Sequence, residues 1–147
     1  MNRKLIHEAA GQRTYAVILS SGDEAVGCLK QIATEERLSA ASLTAIGALR
    51  RAELAYFDWE TKRYLPIEVA EQVEVASLIG DIAAGPDGEI AIHIHVVLGK
   101  RDGSAIAGHL VSAEIRPTLE VILTESPAHL RKRHDPESGL ALIALDR

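Results

Sequence analysis

From residue 39 almost to the C-terminus, short runs rich in β-branched and aliphatic residues alternate with turn residues, and the helical period is absent. Runs of this length bounded by Gly, Pro, Asp and Ser are typical of strands. Two turn signals, Gly85-Pro-Asp-Gly88 and Arg101-Asp-Gly103, each join two runs as a hairpin. The predicted strands are 41–48, 52–59, 62–68, 73–83, 89–98, 105–111, 118–123 and 140–145, with a tight connection at 58–61.

The first part of the chain predicts one strand and one helix. Residues 14–19 are β-branched and aromatic-rich and form the strand. Residues 23–37 carry apolar side chains at helical intervals, and Ser21 with Glu24 has the spacing of a capping box. One main helix beside many mostly antiparallel strands predicts an α+β fold.

Composition places the chain among ordinary folded domains. With 147 residues, 47% of them apolar and 25% charged, it is neither a disordered tail nor a collagen-like repeat nor a multidomain enzyme. No internal repeat or linker divides the sequence. We therefore expect a single domain over 1–147, with its core at about 13–145.

The sequence carries few signals for processing or export. Cys28 is the only cysteine, so neither an intrachain disulfide nor a cysteine zinc cluster can form. Residues 1–12 are charged and lack the apolar segment of a signal peptide. The longest apolar run, 91–98, is interrupted by two histidines and is too short to span a bilayer. We expect a cytoplasmic protein without a membrane partner.

The strongest chemical signal is the pair His93 and His95 in the predicted strand 89–98. Side chains alternate between the two faces of a strand, so both imidazoles share one face while Ile94 and its apolar neighbours occupy the other. A His-x-His pair on a strand offers two ligands to one transition metal.

A third histidine is brought to this pair by the turn. If residues 101–103 form a three-residue hairpin loop with Gly103 in the left-handed conformation, the register places His95 opposite His109. Directly opposed residues have Cβ atoms about 4.5 to 5.5 Å apart. Gly108 also permits close approach of a backbone or ligand. Three histidines would leave a fourth metal position for water or a ligand.

The sequence also offers two carboxylates as supports for such a site. Glu120 and Glu74 each alternate against apolar strand neighbours, so both carboxylates leave the core face and could orient a metal ligand. The alternative is that both are solvated strand glutamates. For the three histidines, the alternative is a polar groove or subunit contact that holds no metal.

Several short motifs occur in a characteristic order along the chain. They are Ile46-Gly-Ala48, Tyr56-Phe-Asp58, Val75-Ala-Ser-Leu-Ile-Gly80, His93-Ile-His95, Gly108-His-Leu110 and Thr118-Leu-Glu-Val121. With these motifs the sequence resembles the plants and prokaryotes conserved (PPC) domain family, whose members stand alone in bacteria and archaea and are joined to AT-hook segments in plant nuclear proteins. The resemblance covers about residues 13–145.

The resemblance implies a compact α+β fold with a largely antiparallel sheet and a homotrimeric assembly. It also implies that His93, His95 and His109, at the family's His-x-His and Gly-His positions, bind a divalent metal such as zinc in bacterial members. The family usually has Gly-Gly-His where this chain has Ala107-Gly108-His109, a departure of one methyl group.

Bacterial members of the family are described as DNA-binding proteins by analogy with the plant proteins, but the charge of this chain opposes that partner. Sixteen Lys and Arg against twenty-one Asp and Glu give a formal net charge of -5. The Arg-Gly-Arg-Pro core of an AT-hook is absent. The possible DNA contacts are short basic clusters, chiefly Arg131, Lys132 and Arg133, which we interpret as part of a solvated turn ending at His134.

Three functions therefore remain open. By resemblance, the protein is a DNA-binding or regulatory member of its family. The alternative is a small metal-dependent enzyme or metabolite-binding protein that uses the three histidines to hold a small-molecule ligand, a reading that the acidic charge favours. The third is an oligomerisation module whose histidines only form hydrogen bonds across a subunit boundary.

Overall fold

Two long strands, β3 (Ala40–Asp58) and β7 (Ala105–Glu125), pair antiparallel and organise the sheet. The computed structural model describes residues 1–126 and 128–145. The remaining elements are β1 (Asn2–Ala9), β2 (Gln12–Ser20), α1 (Ala25–Glu35), β4 (Arg63–Val69), β5 (Val73–Ala84), β6 (Ile90–Gly99), β8 (Arg131–His134) and β9 (Ala141–Ala144).

The strands form one sheet with the order β1-β2-β7-β3-β5-β8-β9. β4 pairs with β3, and β6 pairs with both β5 and β7, so β7, β3, β5 and β6 form a closed ring of pairings. Among the described residues, all strand pairs are antiparallel except β5 with β8, which meet in parallel at Ala84 and Arg131. This part of the chain is mostly β with one helix, so the predicted mostly antiparallel sheet with a single main helix is confirmed.

Alternation along the strands builds the core. On β6, Ile94, Val96 and Leu98 are buried and face the interior, as predicted for one side of this strand. The helix α1 adds its own buried stripe through Leu29 and Ile32, which recur at helical spacing. The core therefore occupies the inner face of the sheet, which leaves the side chains between the buried positions to face outward.

The prediction of separate strands is wrong at two places. Residues 41–48 and 52–59 belong to the single strand β3, and residues 105–111 and 118–123 belong to the single strand β7. Both strands contain register shifts, at which a bulge allows polar residues to turn outward without ending the strand. Arg50, Arg51 and Arg116, which lie between the predicted runs, are therefore exposed residues within continuous strands.

The helix begins later than predicted and has a different cap. Its N-cap is Glu24, whose side chain accepts hydrogen bonds from the backbone N–H groups of Val26 and Gly27. Ser21 instead donates its hydroxyl to the carbonyl of Pro117, so the predicted capping box is wrong.

In 1–126 and 128–145, no helix is long and apolar enough to cross a membrane.

Both ends of the described chain contain strands that the sequence analysis missed or misplaced. β1 pairs with β2 although all its residues are exposed, and for that reason it lacks an alternating apolar signal. Residues 131–134, interpreted as a solvated turn, form β8 instead. β8 pairs with β9, which occupies part of the predicted strand 140–145, and together they form what we call the C-terminal ribbon.

Candidate metal centre

Two imidazoles project from the outer face of β6. Since Ile94 and Val96 fill the core, the intervening His95 and the preceding His93 turn away from it. His95 is exposed and His93 is partly buried. The separation of the two histidines from the apolar side chains follows from the strand period, as predicted.

The hairpin between β6 and β7 sets the third histidine opposite this pair. Lys100 donates its backbone N–H to the carbonyl of Ser104 at 2.8 Å, and Gly103 has a φ of 84° in the left-handed region. Glycine adopts this conformation without steric cost. The resulting register pairs His95 directly with His109, so the predicted three-residue loop and its consequence are confirmed.

The three imidazoles converge. The ring centroid of His93 lies 5.0 Å from that of His95 and 5.2 Å from that of His109. The centroids of His95 and His109 are 5.6 Å apart. One ligand nitrogen from each ring lies within 4.8 Å of the other two. In the part of the chain that the structure describes, this is the one cluster of three or more His, Cys, Asp or Glu side chains with metal-ligand spacing.

The closest nitrogens fit a common ion. Nε2 of His93 lies 3.2 Å from Nε2 of His95. Two nitrogens that are each about 2.0 to 2.1 Å from a tetrahedral zinc ion stand about 3.3 Å apart. These two imidazoles therefore have the spacing of ligands to one ion with little rearrangement.

His109 is partly buried. Its ring packs against Tyr64 of β4 with centroids 4.9 Å apart, and its Nδ1 atom is buried without a hydrogen-bond partner in the described part of the chain. Burial, together with the neighbouring His93 and His95, lowers the pKa of His109 to about 4. The ring is therefore neutral at physiological pH, as a metal ligand must be.

The backbone of β7 approaches β3 closely beside His109. A Cβ atom on Gly108 would lie 3.0 Å from the carbonyl oxygen of Ala55 and 3.3 Å from Cβ of Leu54. Glycine therefore allows the two strands to pack at this point, which was the role expected for it.

A carboxylate that the sequence analysis did not select supports His93. Asp81 pairs with His93 across β5 and β6, and its Oδ2 atom lies 3.5 Å from Nδ1 of His93. This contact favours the tautomer with the proton on Nδ1, which leaves Nε2 free to bind a metal. The register of the Gly85–Gly88 turn, which pairs Ala84 with Ile90, could have identified Asp81 from the sequence.

A buried ammonium group completes this arrangement. Lys132 of the C-terminal ribbon is only 5% exposed, and its Nζ atom lies 2.8 Å from Oδ1 of Asp81. The contact is an ion pair rather than an aligned hydrogen bond. Burial and the charge of Lys132 lower the pKa of His93, although Asp81 opposes that change. Burial and Lys132 thus favour the neutral form of His93, which is the form that binds a metal.

The two glutamates proposed as supports lie elsewhere on the sheet. Glu120 pairs with Ile18 and Ile46 and lines a shallow outer groove. Glu74 pairs with Ala48 and Gly99 at the other end of β5. Among the described residues, the carboxylate that reaches the histidines is that of Asp81.

The basic clusters of the sequence are largely tied to carboxylates. Arg50 and Arg51 both donate to Glu114, at 2.8 and 3.0 Å, and Lys100 forms an ion pair with Glu71 at 2.8 Å. In the cluster 131–133, Arg131 and Arg133 are exposed but Lys132 is buried. The expected role of Lys132 in a surface contact is therefore corrected, because strand pairing turns its side chain inward.

Comparison with known families supports the sequence resemblance. The model of the Plants and Prokaryotes Conserved (PCC) domain matches residues 6–127. That segment contains all three clustered histidines and Asp81, and it ends before the C-terminal ribbon. A comparison with curated protein sequences finds no significant match.

Solved structures share the fold over nearly the whole chain. A metal-containing protein from Archaeoglobus fulgidus is 34% identical, with a TM-score of 0.83 and coverage of 90% of this chain and 93% of its own. A plant- and prokaryote-conserved protein from Pyrococcus horikoshii is 32% identical, with a TM-score of 0.84 and coverage of 92% and 93%. A protein from Bacteroides thetaiotaomicron, described as a candidate DNA-binding protein, is 26% identical, with a TM-score of 0.85 and coverage of 96% of both chains.

Proposed function

The chain belongs to the Plants and Prokaryotes Conserved domain family, and from this premise we propose that it is a metal-dependent ligand-binding protein whose His93, His95 and His109 hold one divalent ion. The observation that carries the proposal is the convergence of three ligand nitrogens within 4.8 Å. The description of the Archaeoglobus fulgidus relative as metal-containing supports it.

Zinc is the ion we propose first. Imidazole suits several transition metals, but three imidazoles that converge on one point are typical of zinc sites that keep a fourth position for water or a ligand. A zinc ion bound in this way lowers the pKa of a coordinated water or polarises a carbonyl group. Asp81 would orient His93, and the apolar packing of Tyr64 would keep the His109 ring in place.

The test is elemental analysis of protein purified without a histidine tag, which would itself bind metal. We expect about one zinc per chain in the natural sequence and none in the double variant His93→Ala, His109→Ala. A matched control is the double variant His7→Ala, His134→Ala, which removes two exposed histidines outside the cluster. A folded natural protein that recovers no metal after incubation with zinc, nickel, iron or manganese would overturn the proposal.

We also propose that the protein assembles as a homotrimer, as the family resemblance implies. Large apolar side chains on the outer sheet face support this proposal, because Ile46 is 61% and Ile79 57% exposed in the single chain. Sedimentation should give three times the chain mass, and Ile79→Lys should give monomers. A trimer that survives chelation and holds no metal would instead favour the oligomerisation module.

DNA binding is a second candidate function, favoured by the description of the Bacteroides thetaiotaomicron relative. The exposed Arg131 and Arg133 are the contacts that would serve it, and the net charge of -5 opposes it. If DNA is bound, the affinity for an AT-rich duplex in a gel-shift experiment should fall steeply as the salt concentration rises. If no shift appears at low salt, this candidate is excluded.

The cysteine content bears on the compartment in which the protein works. We infer that the protein works in the cytoplasm, since its lone Cys28 gives no sign of an oxidising environment. Fractionation of native cells with an antibody against the protein would test this inference.

A further inference from the structure

A hollow of about 350 Å³ opens beside two of the three histidines. His93 and His109 form one side of it, and Asp81 lies next to them. This volume is at the small end of the range for ligand sites. The remaining lining residues are Tyr64, Ala91, Ile92, Lys132, Leu140, Ala141, Leu142 and Ile143.

The C-terminal ribbon forms the opposite wall. It supplies Lys132 from β8 and residues 140–143 on and beside β9. Lys132 pairs directly with Ile143, so the two side chains share one face of the ribbon. The segment matched by the family model ends at residue 127. The family model therefore does not include this wall.

The charges around the hollow favour an anion. Its charged lining residues are Asp81 and Lys132, which form an ion pair and offset each other. A divalent ion on the histidines would then leave the hollow positive. The ammonium of Lys132 has three donors, and its contact with Asp81 is not an aligned hydrogen bond. It can therefore donate to a second oxygen within the hollow.

The rest of the lining favours a short hydrocarbon part. Ala91 of β6 and Ile143 of the ribbon are both apolar and line the hollow, Ala91 on the face of β6 that carries His93 and Ile143 on the face of the ribbon that carries Lys132. An apolar site with a few placed polar groups binds ligands of the same character. From this combination we propose that the hollow binds a short-chain aliphatic carboxylate, with its oxygens toward the metal position and Lys132 and its alkyl group against the ribbon. The inference rests on the proposed metal site.

The test uses tag-free protein loaded with cobalt(II), whose visible absorption reports changes at the metal. Titration with butyrate should change the spectrum, and butyrate should bind about fifteenfold more tightly than acetate, because each additional buried methylene contributes about a factor of four. Butylammonium, of similar length and opposite charge, should leave the spectrum unchanged.

Three variants separate the contributions. Lys132→Met should lower the affinity for both acetate and butyrate at least about tenfold. Arg131→Met removes the same charge from the exposed face of β8 and should leave both affinities unchanged. Ile143→Ala should weaken butyrate and leave acetate unchanged. Since Ile143 is 41% exposed, this variant is expected to fold even if removal of the buried Lys132 prevents folding.

The outcomes distinguish the two proposals. Failure to take up cobalt would contradict the metal site and leave the hollow without its positive charge. Cobalt uptake with no spectral response to butyrate, or with equal affinities for acetate and butyrate, would overturn the carboxylate proposal while the metal site stands. An Ile143→Ala variant with unchanged preference for butyrate would also overturn it.

Discussion

Lys132 and Asp81 form an ion pair of 2.8 Å between strands that are about fifty residues apart in the sequence. Lys132 is 5% exposed and Asp81 is partly buried, so water screens the pair only weakly. The second oxygen of Asp81 faces His93 at 3.5 Å. The pair thus connects the C-terminal ribbon to the candidate metal centre, and each of its members has a consequence for the histidines.

Replacement of Asp81 by Asn should weaken zinc binding about 10- to 100-fold, the usual cost of losing a carboxylate that orients a ligating histidine. The amide lacks the charge that holds the proton on Nδ1 of His93 and leaves Lys132 buried without a counter-ion. Competition with a chromophoric chelator measures the affinity. Asp87→Asn, in the turn before β6, is the control, since Asp87 accepts only the nearby backbone N–H of Glu89 among its described contacts. Equal affinities in the two variants would contradict the role of Asp81.

The three histidines could be brought together from the sequence because hairpin registers are local. The loop 101–103 sets His95 against His109, and the strand period adds His93. The same reasoning on the Gly85–Gly88 turn would have reached Asp81, which pairs with His93. A short turn between two strands sets their register, and the register fixes which residues lie opposite each other several positions from the turn.

Lys132 could not be found in this way. Its neighbours Arg131 and Arg133 make the segment strongly basic, which is typical of a solvated turn, and its partner Asp81 is distant in sequence. The exposed strand β1 was missed for a related reason, because it has no buried face to produce an alternating pattern. A strand without an alternating apolar pattern, such as β1, and a contact between residues that are distant in sequence, such as Lys132 with Asp81, are therefore what local patterns do not predict.

Zinc should stabilise the natural protein against heat and urea. A ligand that binds only the folded state adds about 2.7 kcal/mol to the free energy of unfolding at a free concentration of 100 times its Kd. His109→Ala should show no such gain, because it removes one of three ligands. Thermal unfolding with zinc and then with excess chelator measures the effect. A natural protein whose melting temperature is the same in both conditions would count against the metal centre.

Gly108→Ala should destabilise the fold and weaken metal binding. The added methyl group would meet the Ala55 carbonyl at 3.0 Å and push β7 away from β3 next to His109. Overpacking of this kind costs about 1 to 3 kcal/mol. Gly99→Ala is the matched control on the same hairpin, since the nearest atoms to its added methyl group are 3.9 Å away. Urea unfolding and zinc titration of both variants give the comparison, and equal losses in the two would show that the close approach at Gly108 is unimportant.

Glu36, just beyond the helix, should make stability depend on pH. Tyr15 donates its hydroxyl to the Glu36 carboxylate at 2.8 Å and Arg3 donates at 2.7 Å, and these bonds lower the pKa of Glu36 despite its partial burial. A carboxyl whose pKa is lower in the folded state stabilises the protein above its unfolded pKa, about 4.5. That contribution is lost as the pH falls through the lower, folded value.

The variant Glu36→Gln tests this linkage. At pH 7 its free energy of unfolding should be about 1 to 2 kcal/mol lower than that of the natural protein, because hydrogen bonds to a charged group are lost. The difference should shrink below about pH 4.5, where the natural carboxyl also becomes protonated. Urea unfolding between pH 3 and pH 7 measures it, with Glu8→Gln on the exposed strand β1 as the control. A difference that stays constant across this range would mean that Glu36 acts through packing rather than through its charge.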